Sequence, residues 1–210
     1  MIFQNRREAG ERLADALFPL TGSDAVVLAI PRGGVVVGHA VAERLGIPLD
    51  VVIPRKVGAP GNPELGLGAV APGVRVLDER LVEELGVSRE YLEREIEAQE
   101  REIARREAAY RAGRPPVDVK GKTAIVVDDG VATGGTAVAA CRWARKAGAA
   151  RVVMAVPVAP RQARAMLERE ADQLVVLATP DPFFAVGQWY EDFDQVTDQE
   201  VVSLLQAGRR

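Results

Sequence analysis

Two adjacent carboxylates followed by a loop of glycine and threonine form the most chemically informative stretch of this sequence. Asp128 and Asp129 end a run of four apolar residues, and Thr-Gly-Gly-Thr closes the loop at residues 133–136. Glycines let successive backbone N–H groups converge on a phosphate at the start of a helix. Paired carboxylates can accept hydrogen bonds from a vicinal diol, directly or through a hydrated divalent cation. Together the two features predict a site for a ribose 5-phosphate.

Other interpretations of this stretch must be weighed against a sugar-phosphate site. A P-loop would end in Gly-Lys-[Ser/Thr], and a dinucleotide fingerprint would read Gly-x-Gly-x-x-Gly; residues 128–136 match neither pattern. A phosphoacceptor built on Asp128 would need a lysine partner, which the sequence does not identify. The plainest alternative is a glycine-rich turn between a strand and a helix, with the acid pair serving the structure alone.

Cations follow two other predicted strands. Arg32, beside Gly33, comes after the first strand, while Arg55 and Lys56 come after the second and open a Gly/Pro-rich stretch at residues 54–63. Ligands of open α/β sheets bind at the carboxyl ends of the strands. We therefore expect an anion site beside the acid pair, closed by a mobile loop at residues 54–63. A plain turn at Arg32, and surface cations without a role at the other two positions, are the alternatives.

An aromatic cluster follows the last predicted strand. Phe183, Phe184 and Trp189 lie within residues 179–190, which hold four of the ten aromatic residues of the chain. Their rings could stack on a base, or they could cap the hydrophobic core. Both interpretations stay open from the sequence alone.

Apolar runs alternate with helical patterns along the chain, which positions these candidate residues. Strands rich in valine and isoleucine, separated by amphipathic stretches, predict an α/β fold: a central, mostly parallel sheet with helices on both faces in a single domain over residues 1–210. The predicted strands are 25–30, 49–53, 123–127, 152–156 and 174–178, and the predicted helices are 7–17, 35–45, 136–147, 161–169 and 198–205.

The middle of the chain, residues 54–113, reads as an insertion. It contains the Gly/Pro stretch, a hairpin at 65–70 and 74–77, and a charged helix at 88–112. One face of that helix follows four-three spacing but is interrupted by two polar residues, which indicates a solvated helix with a narrow docking stripe; a lid or a dimer arm is the alternative. The positions of this stripe are Leu92, Ile96, Gln99, Ile103, Arg106 and Tyr110.

Composition excludes several classes of function. A formal net charge of −3 gives no general attraction to nucleic acid or to anionic membranes. With Cys141 as the single cysteine and His39 as the single histidine, neither a disulfide framework nor a His/Cys zinc site is expected. The amino terminus lacks the apolar region of a signal peptide, and no apolar run reaches membrane-spanning length. We therefore expect a soluble cytoplasmic protein without nucleic-acid or membrane partners.

The motif at residues 124–136 resembles the diphosphate-sugar signature of type I phosphoribosyltransferases: apolar residues, two acids, a short glycine-containing stretch and Thr-Gly-Gly-Thr. The resemblance implies a Rossmann-like α/β fold with a small hood at 179–210. It also implies Mg²⁺ as cofactor, 5-phosphoribosyl-1-diphosphate (PRPP) as donor, a nitrogenous base as acceptor, and a homodimer. A cis peptide bond between Pro31 and Arg32 is expected on the same basis.

By this resemblance the chain transfers a 5-phosphoribosyl group to a base and releases diphosphate. Catalytic roles are implied for Asp128, Asp129, Arg32 and Lys56. A non-catalytic PRPP sensor on the same fold is the alternative, and the base itself stays unnamed. The remaining implied roles are ribose and Mg²⁺ binding by Asp128 and Asp129, 5-phosphate binding by Gly130, Val131, Ala132, Thr133, Gly134, Gly135 and Thr136, diphosphate binding by Arg32, Gly33, Arg55 and Lys56, and acceptor binding by Phe183, Phe184 and Trp189.

Overall fold

The computed structural model describes residues 2–21 and 23–208 of the chain. Within those residues, no helix combines the length and the apolar character that crossing a bilayer requires. The helices are α1 (Arg6–Ala16), α2 (Gly33–Leu45), α3 (Glu79–Glu84), α4 (Arg89–Arg111), α5 (Gly135–Lys146), α6 (Arg161–Glu170) and α7 (Asp198–Ala207), with short 3-10 helices at Phe18–Leu20 and Val186–Trp189. The strands are β1 (Ala25–Ala29), β2 (Leu49–Val51), β3 (Arg55–Ala59), β4 (Asn62–Ala71), β5 (Val74–Leu77), β6 (Thr123–Val127), β7 (Arg151–Val158) and β8 (Gln173–Ala178).

Five parallel strands form the central sheet in the order β2-β1-β6-β7-β8. The inner strands are almost continuously apolar because helices cover both faces of the sheet. From β1 the chain crosses to β2 on one side, and from β6 it proceeds through β7 to β8 on the other. The strand order therefore reverses between β1 and β6, which is where open α/β sheets bind ligands.

The two faces of the sheet carry separate apolar cores. One core joins inward-facing residues of β1 and β6 to α1, α2, α4 and α7, as Leu13, Val41 and Val201 illustrate. The other joins the opposite faces of the same strands to α5 and α6, through residues such as Cys141 and Leu167. This arrangement confirms the predicted α/β fold with helices on both faces of a parallel sheet.

A second, antiparallel sheet of three strands, β3-β4-β5, follows β2 along the chain. Its β4-β5 hairpin was expected from the sequence, and Ala71 pairs with Val74 across the turn. The expectation of a loop over residues 54–63 was wrong in part, since Arg55–Ala59 forms strand β3 and pairs with β4. Glycine and proline at the borders of this short strand concealed it, and its pairing with β4 supplies the backbone hydrogen bonds.

Helix α4 docks on its own chain through a narrow apolar stripe, the first of the two interpretations of its sequence. Ile96 and Ile103 are buried in the same core as Val57 of β3. The last residue of the helix, Arg111, donates a hydrogen bond to the Asp50 side chain at 3.3 Å. Asp50 is 1% exposed and also accepts a hydrogen bond from the Val117 amide at 2.7 Å. These contacts fix α4 beside β3 and the carboxyl end of β2.

Candidate functional site

The loops after β1 and β6 meet at the point where the strand order reverses. Gly33 and Gly34 begin α2, and both lie directly against the acid pair. A Cβ on Gly33 would collide with the Asp129 carboxylate, and one on Gly34 would lie 2.9 Å from the Cα of Asp128. Glycine is therefore required at both positions for the acids to reach the amino end of α2, where the helix dipole favours negative charge.

The two carboxylates differ in their surroundings. Asp128 accepts a hydrogen bond from the backbone N–H of Asp129 at 2.8 Å through Oδ1. Burial, and then the neighbouring charge of Asp129, raise the pKa of Asp128 well above its usual value. Asp129 instead accepts from the Arg6 Nε at 2.7 Å, in an ion pair whose side chains are 11% and 15% exposed. The charge of Asp129 is thus stabilised by an ion pair within the chain, whereas burial and the neighbouring carboxylate disfavour the charge of Asp128.

Arg6 is a site residue that the sequence analysis missed. Its guanidinium lies 3.7 Å from the centre of the Phe193 ring and donates to the Asp194 carbonyl oxygen at 2.7 Å. Tyr190 completes the support, because its hydroxyl donates a short hydrogen bond to the Asp129 carbonyl oxygen. Neither residue lies near the motif in sequence, so no local pattern could have indicated the contact.

The loop after the acid pair has an anchored half and an open half. The amide of Val131 donates to the Val158 carbonyl at 2.9 Å, and its side chain is buried, so Val131 holds the loop to β7. Gly134 has a φ of +95°, a left-handed conformation that glycine adopts readily, and it caps α5. The first amides of α5, from Gly135 onward, have no intrahelical partner. A Cβ on Gly135 would meet no atom within 4 Å, so the space beside the first residue of α5 is open.

The peptide bond between Pro31 and Arg32 is cis, which confirms that expectation. Arg32 immediately precedes Gly33, the residue that contacts Asp129. The Arg32 side chain is 43% exposed, and its guanidinium lies 3.9 Å from the Asp198 carboxylate at the start of α7. This long, half-exposed ion pair costs little to exchange for a stronger anionic partner.

Arg55 and Lys56, which the sequence analysis grouped together, point to opposite faces of β3, as successive strand residues must. The Nε of Arg55 donates to Gln99 Oε1 of α4 at 2.9 Å. Lys56 turns the other way, into a cavity of about 730 Å³ that is also lined by Thr133 and Thr136. These threonines belong to residues 130–136, called the phosphate loop after its predicted role. The structure therefore brings Lys56, but not the Arg55 side chain, to the phosphate loop.

The aromatic residues after β8 divide into a pair that packs against the core and one exposed ring. Phe183 stacks on Trp189 with ring centres 6.2 Å apart, and both rings pack against a small core around Val158. Phe184 is 78% exposed. Among the described side chains, the Trp189 indole N–H is buried without a hydrogen-bond partner. This segment also covers the phosphate loop, because a Cβ on Gly130 would come within 2.5 Å of Val186.

The acid pair suits a metal that is shared with a ligand. No group of three or more His, Cys, Asp or Glu residues that could hold a metal ion occurs in the described part of the chain. Mg²⁺ typically binds through one or two carboxylates together with substrate phosphates and water. Asp128 and Asp129 fit this limited donor set, with the Arg6 ion pair occupying one oxygen of Asp129.

Comparison with known proteins places this geometry in a family. Two curated Mycobacterium tuberculosis proteins, from strains CDC 1551 and H37Rv, are 45% identical over all 210 residues, and their names carry a provisional phosphoribosyl transferase assignment. The chain spans about half the length of these relatives, 47% in each case.

Solved structures agree on the fold. The protein TT1426 from Thermus thermophilus is 46% identical and aligns over 100% of both chains with a TM-score of 0.84. A purine phosphoribosyltransferase from Pyrococcus horikoshii, at 17% identity over 90% of each chain, shares the fold with a TM-score of 0.50. Residues 2–190 match the family described as the phosphoribosyl transferase domain, and the chain belongs to this family.

Proposed function

We propose that this chain transfers the 5-phosphoribosyl group of PRPP to a nitrogenous base and releases diphosphate. One observation carries the proposal: at the reversal of strand order, a buried acid pair lies on the amino end of α2 beside the open amino end of α5. The first feature suits a sugar diol, and the second suits a phosphate.

The donor would be held at both ends of its ribose. Asp128 accepts hydrogen bonds from the ribose hydroxyls, and Asp129, held by Arg6, fixes the loop and adds negative charge. The amides and hydroxyls of residues 132–136 surround the 5-phosphate, while Val131 anchors the loop.

Bond breaking at the sugar carbon leaves positive charge on the ribose and additional negative charge on the diphosphate. Arg32 leaves Asp198 and binds the departing diphosphate, with Gly33 contributing its backbone at the start of α2. Asp128 and Asp129 would hold Mg²⁺ together with the donor, and the bound ion would supply further neutralisation of the leaving group. The acid pair stabilises the developing positive charge on the sugar. No nucleophilic side chain is required.

Two other segments complete the reaction site. Lys56 lines the same cavity as Thr133 and Thr136, and its positive charge attracts the phosphates of the donor. The β3-β4 hairpin next to it limits the entry of water that would hydrolyse the donor. The acceptor base binds beside Phe183, Phe184 and Trp189, where the exposed ring of Phe184 offers a face for stacking.

The assay that tests this function measures diphosphate released from PRPP with Mg²⁺ and a panel of purine, pyrimidine and other nitrogenous bases. Transfer that depends on one base is the expected result. Tight PRPP binding without release across the whole panel would establish the sensor instead, and absence of PRPP binding would refute both functions. The homodimer implied by the family resemblance belongs to the same proposal, and sedimentation velocity measures it.

A further inference from the structure

The two polar positions that interrupt the apolar stripe of α4 face a cluster of guanidinium groups. Gln99 accepts a hydrogen bond from Arg55, and Arg106, seven residues later on the same face, is only 24% exposed. Polar residues at half-buried seam positions cost stability relative to apolar ones. Gln99 offsets part of this cost through its hydrogen bond from Arg55.

Arg55 and Arg106 form an arginine pair of like charge in a half-buried setting. The neutral Gln99 side chain accepts a hydrogen bond from the Arg55 Nε at 2.9 Å, and Glu102 accepts one from the Arg106 Nε at 2.7 Å. Burial, and next the charge of Arg106, lower the pKa of Arg55. The structure thus holds two cations near each other although their repulsion is unfavourable.

The acidic neighbours do not balance these cations. Glu102 is shared, since it also accepts two hydrogen bonds from Arg105, at 2.7 and 2.9 Å. Glu95 is engaged by the Gln99 amide at 2.8 Å. Asp198 is likewise divided between the Tyr110 hydroxyl at 2.7 Å and Arg32 at 3.9 Å. The arginines of this region are Arg32, Arg55, Arg105 and Arg106, and the carboxylates are Glu95, Glu102 and Asp198.

The arginine pair is continuous with the loop after β1. Tyr110 lies one helical turn beyond Arg106, and its hydroxyl shares the Asp198 carboxylate with Arg32. The next residue after Arg32 is Gly33, which touches Asp129. A series of contacts through Tyr110 and Asp198 therefore links the helical turn that carries Arg106 to Arg32.

We infer that Arg106 of α4, together with Arg55, completes the binding site for the diphosphate of the donor, and that Gln99 is a positioning residue for Arg55. The inference rests on the proposed transferase function and extends it to a helix that the diphosphate-sugar motif does not include. An incoming diphosphate relieves the repulsion between Arg55 and Arg106, which gives a reason for a pair of like charges at this position.

Titration calorimetry with inorganic diphosphate and, separately, with PRPP, both with Mg²⁺, tests the inference on the intact chain. Arg106→Gln is the test variant. Arg101→Gln is the matched control, because Arg101 lies on the same helix, is 72% exposed and pairs with Glu97. We expect Arg106→Gln to weaken both ligands by about 10- to 100-fold, and the control to bind like wild type.

Further variants separate a binding role from a structural one. Arg106→Lys should recover part of the affinity because it keeps the charge, and Gln99→Met should lower affinity for both ligands by about 3- to 10-fold with little change in melting temperature. Wild-type affinity in a folded Arg106→Gln chain, with PRPP bound normally, would overturn this inference and leave the transferase function intact. Failure of the wild type to bind PRPP would refute both, including the case in which inorganic diphosphate alone binds.

Discussion

The parallel and the antiparallel sheets contribute to the site in different ways. At the carboxyl edge of the parallel sheet, the acid pair and the phosphate loop come from one continuous stretch, residues 128–136, and each group is placed by the strand before it. The cations proposed to bind the leaving group come from three separate elements: Arg32 before α2, Lys56 on β3 and Arg106 on α4. The predicted sugar and phosphate contacts are thus local in sequence, whereas the proposed contacts with the leaving group depend on tertiary packing.

The largest expected effect is at residues 128–136, the part of the site that is local in sequence. Asp128→Asn should weaken PRPP binding by about 100-fold or more, because each ribose hydroxyl loses a charged acceptor. Asp15→Asn is the control, since Asp15 of α1 is exposed and pairs with Arg44 of α2. Calorimetry with Mg²⁺ measures both variants, and a loss of less than about threefold would be incompatible with Asp128 as the diol ligand.

The same variant has a stability consequence of defined sign. Because the pKa of Asp128 is raised in the folded chain, its ionised form opposes folding at neutral pH. Asp128→Asn should therefore melt at or above the wild-type temperature at pH 7. As pH falls from the raised pKa toward the usual 3.8, the folded wild type takes up a proton before the unfolded chain does, so its relative stability rises and the difference shrinks. A wild type whose melting temperature falls relative to that of Asp128→Asn as pH is lowered through this range would contradict the raised pKa of Asp128.

Two glycines of the phosphate loop should respond in opposite ways. The methyl group of Gly130→Ala would lie 2.5 Å from Val186 and 2.9 Å from Val158, so overpacking should cost about 1–3 kcal/mol of folding free energy. Gly135→Ala meets no neighbour within 4 Å and should leave the melting temperature unchanged or raised. It should nevertheless weaken PRPP binding, since the methyl group occupies the approach of the 5-phosphate. Equal behaviour of the two variants in melting and binding would remove the distinction.

Lys56→Gln tests the contribution of the antiparallel sheet. The ammonium lies 3.5 Å from the Glu64 carbonyl oxygen and lines the cavity, so its removal should not change the melting temperature. We expect the KM for PRPP to rise about tenfold through loss of one charged contact. Lys120→Gln, an exposed lysine outside this cavity, is the control. A KM equal to that of wild type would indicate that the phosphates of PRPP are bound by residues of the parallel sheet and its loops alone.

The smallest expected effect concerns Glu102. Hydrogen bonds from Arg105 and then Arg106 lower its pKa from the usual 4.5 to about 2. Its stabilising contribution is therefore complete above pH 4.5 and is lost as pH falls to about 2. Glu102→Gln should cost about 0.5 kcal/mol at neutral pH, because solvent screens these ion pairs. Denaturant unfolding across this range checks the window, and a difference that grows as pH falls would contradict it.

The sequence was sufficient for the parallel sheet and the phosphate loop because both depend on short-range patterns. Buried strands require apolar residues, and a phosphate loop requires glycine at particular positions such as Gly134. The hairpin at β4-β5 was also predictable, since Gly73 marks its turn. Strand β3 was missed because its pairing, rather than its own composition, makes it a strand.

Contacts between distant segments could not be predicted in the same way. The Arg6–Asp129 ion pair joins residues 123 positions apart, and α1 gives no local sign of it. The polar positions on α4 were visible as interruptions of the stripe at Gln99 and Arg106, but Arg55, the partner of Gln99, became evident only from the packing of β3. A polar residue in an otherwise apolar helical seam is thus a useful signal for a tertiary site.

A crystal structure of the chain with PRPP and Mg²⁺ would locate the donor directly. We expect ribose hydroxyls at the Asp128 carboxylate, the 5-phosphate at the amides of residues 132–136, and the diphosphate against Arg32 at the amino end of α2. PRPP bound away from the loops that follow β1 and β6 would contradict the proposed donor site.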